Sequence, residues 1–309
     1  MDRRSTIAPM SAALGSPANV SPFSAWLLAT RPKTLPAAIS PVLVGCCVAW
    51  AEGAFDVVSA LAAFAVALLL QIGANLANDV ADFRRGADTH ERVGPLRVTQ
   101  GGLIPPRHVV MATVAALIAA AVPGLYLVWR GGWVLALLGL LAIAAAVTYT
   151  AGPKPFGYLG LGELVVFLFF GPVAVAGTAF VMTHHISQLA LLASTAMGCL
   201  VTAILVVNNL RDIDTDRMAG KRTVAVRIGR EATRWEYAAL IAAAYAMPLL
   251  MSLMTSQPGP LLAWATTPLA ILLVRQVCNV GGRALNPVLA GTARLCLGFA
   301  FTLGAGIIL

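Results

Sequence analysis

The chain of 309 residues is 59% hydrophobic and only 11% charged, and its mean hydropathy is +0.83. Soluble domains carry about 25% charged residues, so this composition excludes a soluble globular protein and indicates an integral membrane protein. The net charge of +8 does not predict a nucleic-acid-binding surface, because the basic residues stand in short segments between apolar runs.

The first predicted element is a mobile tail. Residues 1–24 are rich in Ser, Pro and Ala and contain no continuous apolar run, so we expect no cleaved signal peptide. Residues 25–309 are predicted to form one domain of membrane-spanning helices, each of about 20 mostly apolar residues. No apolar run alternates as a barrel strand does, so the predicted fold is all-α, a polytopic helix bundle. The nine predicted spans are residues 35–51, 57–77, 109–128, 133–150, 161–181, 189–208, 237–255, 261–278 and 287–307.

The basic residues between the spans predict the orientation of the bundle. Most of the 21 Lys and Arg fall in the N-terminal segment and in the loops after the second, fourth, sixth and eighth spans. By the positive-inside rule these segments are cytoplasmic, which places the C-terminus outside a bacterial inner membrane. Two of these loops, 78–108 and 209–236, are long and hold most of the acidic residues, so we expect the chemistry at the cytoplasmic surface.

The two long loops begin with related sequences, NLANDVADFRRGAD at 75–88 and NNLRDIDTDRMAGKRT at 208–223. Offsets of 0, +3 and +7 put the polar residues on one helical face, and a glycine at +11 suits the end of a helix. This repeat predicts two related halves that present polar faces to a shared cavity. Ordinary solvated helix ends also carry charge, but they would not be expected to match at five positions. In register, the equivalent pairs are Asn75 and Asn209, Asn78 and Asp212, Asp82 and Asp216, Gly86 and Gly220, and Thr89 and Thr223.

The residue types in the repeat predict a metal–diphosphate site. Carboxylate and amide oxygens without His or Cys suit Mg²⁺ or Ca²⁺ rather than zinc. Mg²⁺ commonly completes its coordination with phosphate oxygens of a substrate, and the neighbouring arginines are natural bidentate partners of a diphosphate. The apolar surroundings then predict a substrate with a lipid tail.

The paired motifs resemble those of the UbiA-type intramembrane prenyltransferases, which carry N-D-x-x-D and D-x-x-x-D signatures on a nine-helix bundle. Three further stretches carry the resemblance: RPKTLPAAISPVLVG at 31–45, RVGPLRVTQGG at 92–102 and YTAGPKPFGYLGLGE at 149–163. Within this superfamily the chain is most similar to the branch that prenylates 1,4-dihydroxy-2-naphthoate in menaquinone synthesis. The resemblance implies transfer of a polyprenyl group from an all-trans polyprenyl diphosphate, with loss of CO2 and diphosphate, to give demethylmenaquinone.

The resemblance also implies roles for individual residues. Mg²⁺ would be held by Asn78, Asp79, Asp82, Asp88, Asp212 and Asp216. The residues that act directly in catalysis would be Asp79, Asp82, Asp212, Asp216 and Lys154. The residues that bind the diphosphate and the acceptor would be Asn75, Asn78, Arg84, Arg92, Arg97, Asn208, Asn209, Arg211, Lys221, Arg222, Tyr149, Arg31 and Lys33.

Several of these assignments have a plain alternative. Asp88 is either a ligand or a loop cap, and Lys154 either contacts diphosphate or is a topology charge. Arg31 and Lys33 either bind the acceptor carboxylate or only set orientation. Tyr149, together with Tyr158 on the other side of the Lys154 loop, either lines the aromatic pocket or is an ordinary interfacial tyrosine.

Other protein classes fit the sequence less well. A transporter would place its acidic residues near the membrane midplane, whereas these cluster at one face. A soluble polyprenyl diphosphate synthase would lack the spans, and a CDP-alcohol phosphatidyltransferase would show a D-G-x-x-A-R motif that is missing. Within the superfamily, 4-hydroxybenzoate polyprenyltransferase and haem O synthase are the nearest alternatives, and the GPLR and GPKPFGYLGLGE stretches favour the naphthoate branch.

Overall fold

Every regular element in the described ranges is helical, which confirms the predicted all-α fold. The computed structural model describes residues 20–86, 93–94, 97–152 and 155–309. Its α-helices are α1 (Pro22–Thr30), α2 (Leu35–Ala51), α3 (Val57–Arg84), α4 (Pro106–Gly131), α5 (Trp133–Thr148), α6 (Gly162–Leu168), α7 (Gly177–Thr183), α8 (Gln188–Met218), α9 (Val224–Thr255), α10 (Thr267–Asn279) and α11 (Leu285–Ile308). A π-helix (Phe169–Ala176) joins α6 to α7, and 3-10 helices cover Pro32–Thr34, Phe156–Tyr158, Gly259–Thr266 and Gly282–Ala284.

Eight helical segments in the described part of the chain are long and apolar enough to cross a membrane. The predicted span 133–150 corresponds to α5, which is apolar but has only 16 residues. Each of the nine predicted spans therefore has an apolar helical counterpart among the described residues. The chain is a multi-pass membrane protein.

The two helices that carry the polar motifs continue beyond the predicted spans, in agreement with the helical spacing of the repeat. The span 57–77 continues to Arg84 in α3, and the span 189–208 continues to Met218 in α8, so both motifs are helical. Hydropathy ends a span where polar residues begin, whereas the backbone hydrogen bonds of an α-helix continue through them. The polar side chains are consequently fixed on the last turns of two rigid helices rather than on loops.

The N-terminal boundary of the helical domain also differs from the prediction. The tail was expected to reach residue 24, but α1 begins at Pro22. Proline suits the first position of a helix, and Ser21 caps this one by accepting a hydrogen bond from the Ser24 N–H at 3.2 Å. Residues 1–19 lie outside the described ranges.

Helix α8 is buried along most of its length, and small residues let the π-helix pack closely against it. A Cβ atom at Gly171 would lie only 2.6 Å from the Ser194 carbonyl oxygen, so the two backbones touch at this point. Close approach of this kind is how helices associate in lipid, where van der Waals packing replaces the hydrophobic effect. Pro172 lies within the π-helix and has no backbone N–H to donate, which suits these wider turns. One side of the π-helix faces a cavity within the bundle, which is described below.

Candidate active site

The two polar motifs occupy the C-terminal turns of α3 and α8, and each helix ends at a glycine in the left-handed region. The φ angle is +66° at Gly86 and +72° at Gly220, as the repeat predicted. After Gly220 the chain turns back, and the Lys221 N–H donates to the Asp216 carbonyl at 2.9 Å, a bond typical of a Schellman motif. This turn directs Lys221 towards the carboxylates of both motifs.

The side chain of Lys221 joins the two halves of the repeat. Its Nζ lies 3.4 Å from Asp216 Oδ1 and 3.8 Å from Asp82 Oδ1. Asp82 comes from α3 and Asp216 from α8, so the prediction that both polar faces meet is confirmed for these residues. All three side chains line one cavity.

Asp82 is the most fully satisfied carboxylate in the site. It is only 2% exposed, Arg97 Nη2 lies 2.6 Å from its Oδ2, and the Tyr158 hydroxyl donates to its Oδ1 at 3.0 Å. The Tyr158 ring also lies under two cations, with Lys221 Nζ 4.8 Å and Arg85 Cζ 5.2 Å from its centroid. Burial and the adjacent Asp82 raise the pKa of Tyr158 above its ordinary value, so the phenol keeps the proton that it donates.

Asn78 is held by Arg97 and Thr150. Arg97 Nη1 donates to the Asn78 backbone carbonyl at 2.7 Å, and the Thr150 hydroxyl donates to Asn78 Oδ1 at 2.7 Å. The Asn78 side chain therefore presents its amide oxygen within the polar end of the cavity, and Thr150 fixes its orientation.

The corresponding acid of the second motif, Asp212, forms a bidentate ion pair with its neighbour Arg211. Arg211 Nε donates to Oδ1 at 2.8 Å and Nη2 to Oδ2 at 2.5 Å. The same guanidinium donates to Asn208 Oδ1 at 2.8 Å and to Asn286 Oδ1 at 3.0 Å. Charge-assisted bidentate pairs are geometrically strict, so Arg211 and Asp212 form one rigid unit.

The first amides of the two motifs have equivalent roles. Asn75 Nδ2 donates to the Thr30 carbonyl and to Thr34 Oγ1, each at 3.0 Å, and so binds the end of α1 and the start of α2. Asn209 Nδ2 donates to Glu163 Oε1 at 2.8 Å and so binds the first turn of α6. The repeat therefore extends beyond the helix ends to the helices that they contact. Both amides lie on the cavity wall, but their donor groups serve neighbouring helices.

The polar residues stand at one end of a cavity of about 700 Å³. Its walls are apolar and come from α2 to α8 and the π-helix, including Phe169 and Phe170. The cavity continues away from the polar residues as far as Val128, near the C-terminus of α4, and Leu135, near the N-terminus of α5. A long apolar chain with a charged head group is the shape that such a cavity accommodates.

Twelve of the predicted site residues line this cavity: Arg31, Asn75, Asn78, Asp82, Arg97, Tyr149, Asn208, Asn209, Arg211, Asp212, Asp216 and Lys221. Burial and the charges of Glu163, Asp216 and Asp82 raise the pKa of Tyr149, so this phenol is neutral. Asp88, Arg92 and Lys154 lie outside the described ranges.

Four predicted residues are not brought into the cavity. Asp79 is buried, but its Oδ1 accepts a hydrogen bond from the Thr99 N–H at 3.1 Å, so it faces the loop that follows Arg97. Lys33, Arg84 and Arg222 are exposed and do not line the cavity. Asp214, whose role the sequence left open, pairs with Arg230 on the exposed side of α8.

Sequence reasoning missed two residues that contact the site, Thr150 and Asn286. Thr150 follows Tyr149 in the YTAGPK stretch and could have been included with it. Asn286 lies 75 residues beyond its partner Arg211, in a region without a recognisable motif. Among the described residues no group of three His, Cys, Asp or Glu side chains is assembled as a metal centre. Each cavity carboxylate is instead paired with a cation.

The chain is similar to known proteins in both sequence and fold. The model of the UbiA prenyltransferase family matches residues 38–287. A 1,4-dihydroxy-2-naphthoate octaprenyltransferase from Mycobacterium tuberculosis is 41% identical over 92% of this chain and 97% of the relative. The enzyme of the same name from Escherichia coli is 40% identical over 87% of this chain and 88% of its own length.

Two solved structures share the fold. The apo structure of a UbiA homolog from Aeropyrum pernix K1 has a TM-score of 0.67 and 20% sequence identity, over 88% of this chain and 96% of that one. A UbiA homolog from Archaeoglobus fulgidus bound to GPP and Mg²⁺ has a TM-score of 0.61 and 15% identity, over 91% and 99% of the two chains.

Proposed function

Because this chain belongs to the UbiA prenyltransferase family, we propose that it transfers a polyprenyl group from an all-trans polyprenyl diphosphate to 1,4-dihydroxy-2-naphthoate. The observation that carries the proposal is the meeting of Asp82 and Asp216 at Lys221, at the polar end of an apolar cavity. The names of the relatives from M. tuberculosis and E. coli support the naphthoate acceptor.

The donor set of the cavity fits a hard divalent cation such as Mg²⁺. The carboxylates of Asp82, Asp212 and Asp216 and the amide oxygen of Asn78 all face the same space, and oxygen atoms are the ligands that Mg²⁺ prefers. We therefore infer that these four residues would hold the metal. When bound, the metal would neutralise charge that develops on the diphosphate as the allylic C–O bond breaks.

Three of the four cations that line the cavity in the described part of the chain are placed to bind the diphosphate itself. Arg97, Arg211 and Lys221 line the cavity and now contact the carboxylates of the motifs. Arginine matches a phosphate with two parallel hydrogen bonds, and lysine acts as a mobile point charge. These cations hold the head group at the polar end, which leaves the prenyl chain to follow the apolar cavity.

The apolar part of the cavity protects the reacting carbon. Departure of the diphosphate leaves an allylic cation, and walls such as Phe169 exclude the water that would quench it. Tyr149, whose ring packs edge-on against Phe156 with centroids 5.2 Å apart, also lines the cavity. A neutral aromatic face at this position stabilises positive charge without reacting with it.

The acceptor completes the reaction without an added oxidant. A new C–C bond forms between the allylic carbon and the ring carbon that bears the carboxylate, and this carboxylate leaves as CO2. The electron pair of the broken bond restores the aromatic ring, so the direct product is the quinol form of demethylmenaquinone. We assign Arg31, on the cavity wall, to the acceptor carboxylate before it leaves.

We also propose the orientation of the protein in the membrane. The distribution of Lys and Arg supports a cytoplasmic polar end and an external C-terminus in a bacterial inner membrane. Topology-reporter fusions, which are active on only one side of the membrane, would test this assignment: we expect the N-terminal fusion to report a cytoplasmic location and the C-terminal fusion an external one.

The acceptor is tested by supplying the purified protein with an all-trans polyprenyl diphosphate, Mg²⁺ and either 1,4-dihydroxy-2-naphthoate or 4-hydroxybenzoate. We expect prenylated naphthoquinol and an equal amount of CO2 by mass spectrometry, and no product in the presence of EDTA. Product formed only from 4-hydroxybenzoate would overturn the acceptor assignment while leaving the diphosphate site intact.

A further inference from the structure

Asn286 lies outside both repeated motifs, at the start of α11, yet its amide contacts two separate parts of the site. Its Oδ1 accepts a hydrogen bond from Arg211 Nη1 at 3.0 Å, and its Nδ2 donates to the Val93 carbonyl at 3.1 Å. The side chain does not cap its own helix, because the N-terminus of α11 has no side-chain cap. Both ends of the amide are therefore directed at other elements.

The first contact fixes the cation of the second motif. The Arg211 side chain is only 3% exposed and divides its donors among Asp212, Asn208 and Asn286. Asn208 and Asp212 belong to α8, as Arg211 does, so Asn286 is the contact that α11 adds to this guanidinium. It ties a guanidinium that α8 already orients to a second helix at the cavity.

The second contact is made to a backbone carbonyl that is close in sequence to the cation of the first motif. Arg97 follows Val93 by four residues and pairs with Asp82 from outside any helix. Two side chains anchor the backbone on either side of it: Asn286 holds the Val93 carbonyl, and Asp79 holds the Thr99 N–H. Arg97 thus lies between two fixed points of the backbone.

We propose that Asn286 is a positioning residue that couples Arg97 in the first half of the site to Arg211 in the second. One amide sets the spacing of the two guanidinium groups that receive the diphosphate. The inference rests on the proposed function, because it assigns these arginines to a diphosphate. It adds a residue of the last helix to a site that the two motifs otherwise build.

Two substitutions separate the contacts. Asn286→Ala removes both hydrogen bonds, whereas Asn286→Asp keeps an acceptor for Arg211 and replaces the donor to the Val93 carbonyl with a carboxylate oxygen. The matched control is Asn279→Ala, an exposed asparagine nearby whose side chain donates only to the Arg275 carbonyl of its own helix.

Hydrogen–deuterium exchange without substrate measures how firmly the backbone that begins at Arg97 is held. We expect faster exchange in peptides that cover residues 97–104 in both Asn286 variants, and wild-type exchange in Asn279→Ala. Calorimetry with Mg²⁺ and inorganic diphosphate measures whether Asn286 contributes to the affinity for diphosphate. Loss of both bonds should weaken binding by about 5- to 20-fold in Asn286→Ala, with a smaller loss in Asn286→Asp.

In turnover assays the KM for the polyprenyl diphosphate should rise in Asn286→Ala while kcat changes by less than about 3-fold. Wild-type exchange and wild-type diphosphate affinity in Asn286→Ala would overturn the inference, as would an equal effect of Asn279→Ala. Neither exchange nor calorimetry requires an acceptor. Failure of the wild-type protein to prenylate the naphthoate would therefore count against the proposed function alone.

Discussion

Asp82 and Asp216 stand at equivalent positions of the repeat, 134 residues apart, and share one ammonium group. Lys221 Nζ lies 3.8 Å from the first carboxylate and 3.4 Å from the second. With Arg97 on Asp82 and Arg211 on Asp212, each of the three carboxylates that line the cavity is paired with a cation. Under the proposed function, Asp82, Asp212 and Asp216 would hold Mg²⁺, and the cations released from them would hold the diphosphate. Binding either ligand alone would leave the partners of the groups it takes buried and unpaired, which is costly.

This arrangement predicts opposite effects of removing Lys221. In Lys221→Met the carboxylates of Asp82 and Asp216 lose a shared competitor, so Mg²⁺ alone should bind more tightly than in the wild type. Diphosphate in the presence of Mg²⁺ should bind about 10- to 100-fold more weakly, because a charge-assisted contact is lost. Calorimetry of the two titrations measures both effects.

Lys33→Met is the matched control, since Lys33 is exposed and does not line the cavity. Weaker binding of Mg²⁺ alone by Lys221→Met would show that the ammonium does not compete with the metal for these carboxylates.

The Tyr158 hydroxyl should matter less than its ring. Tyr158→Phe removes the hydrogen bond to Asp82 and leaves the surface on which Lys221 and Arg85 stack, so kcat/KM should fall by about 3- to 10-fold. Tyr158→Leu removes both the hydrogen bond and the stacking surface, so kcat/KM should fall further than in Tyr158→Phe. An equal loss of kcat/KM in the two variants would mean that the stacking contributes nothing.

The raised pKa of Tyr158 gives the same pair of proteins a pH signature. Because the pKa lies above the ordinary value of 10.0, the phenol keeps its proton, and its bond to Asp82 persists as the pH rises from 7 to 9. The ratio of wild-type to Tyr158→Phe activity should therefore stay constant over this range. A ratio that falls towards one as the pH rises would indicate a phenol that ionises early.

Asn209 and Glu163 should be coupled in stability. Asn209→Leu leaves a buried carboxyl group without its donor and should lower the unfolding free energy by about 1–3 kcal/mol. Replacing both residues by leucine removes the unpaired group, so the double variant should be less destabilised than the sum of the two single variants. Thermal unfolding in detergent measures this cycle, and strictly additive losses would exclude a direct interaction.

The far end of the cavity should limit the length of the prenyl chain. A bulky side chain at Ala136, which lines the cavity next to Leu135, shortens the apolar space without touching the carboxylates. Ala136→Phe should retain activity with short polyprenyl diphosphates and lose it with long ones. Leu137→Phe is the control, because Leu137 is exposed on α5 and does not line the cavity. Equal activity of Ala136→Phe with long and short donors would place the tail elsewhere.

The repeat allowed the meeting of Asp82 and Asp216 to be predicted, because equal spacing on two helices implies equivalent faces. It could not exclude Asp79, which lies at +4 from Asn75 and is therefore at the edge of the same face. Asp79 is held away from the cavity by its hydrogen bond with the Thr99 N–H, and Thr99 lies 20 residues further along the chain. Asn286 was unpredictable for a related reason: its partners lie 75 and 193 residues away, and no local pattern encodes such contacts.

We propose above all that both halves of the repeat form one metal–diphosphate site. The most direct test of this proposal is calorimetric titration of inorganic diphosphate in Mg²⁺ into the wild type, Asp82→Asn, Asp216→Asn and Asp214→Asn. Asp214 is the matched control, two residues from Asp216 but paired with Arg230 on the exposed side of α8. We predict that both Asp82→Asn and Asp216→Asn lose at least about 10-fold in affinity, the scale of one charged contact, while Asp214→Asn binds as the wild type does. If Asp216→Asn binds diphosphate as tightly as Asp214→Asn does, the second half takes no part in the site, which contradicts the proposal.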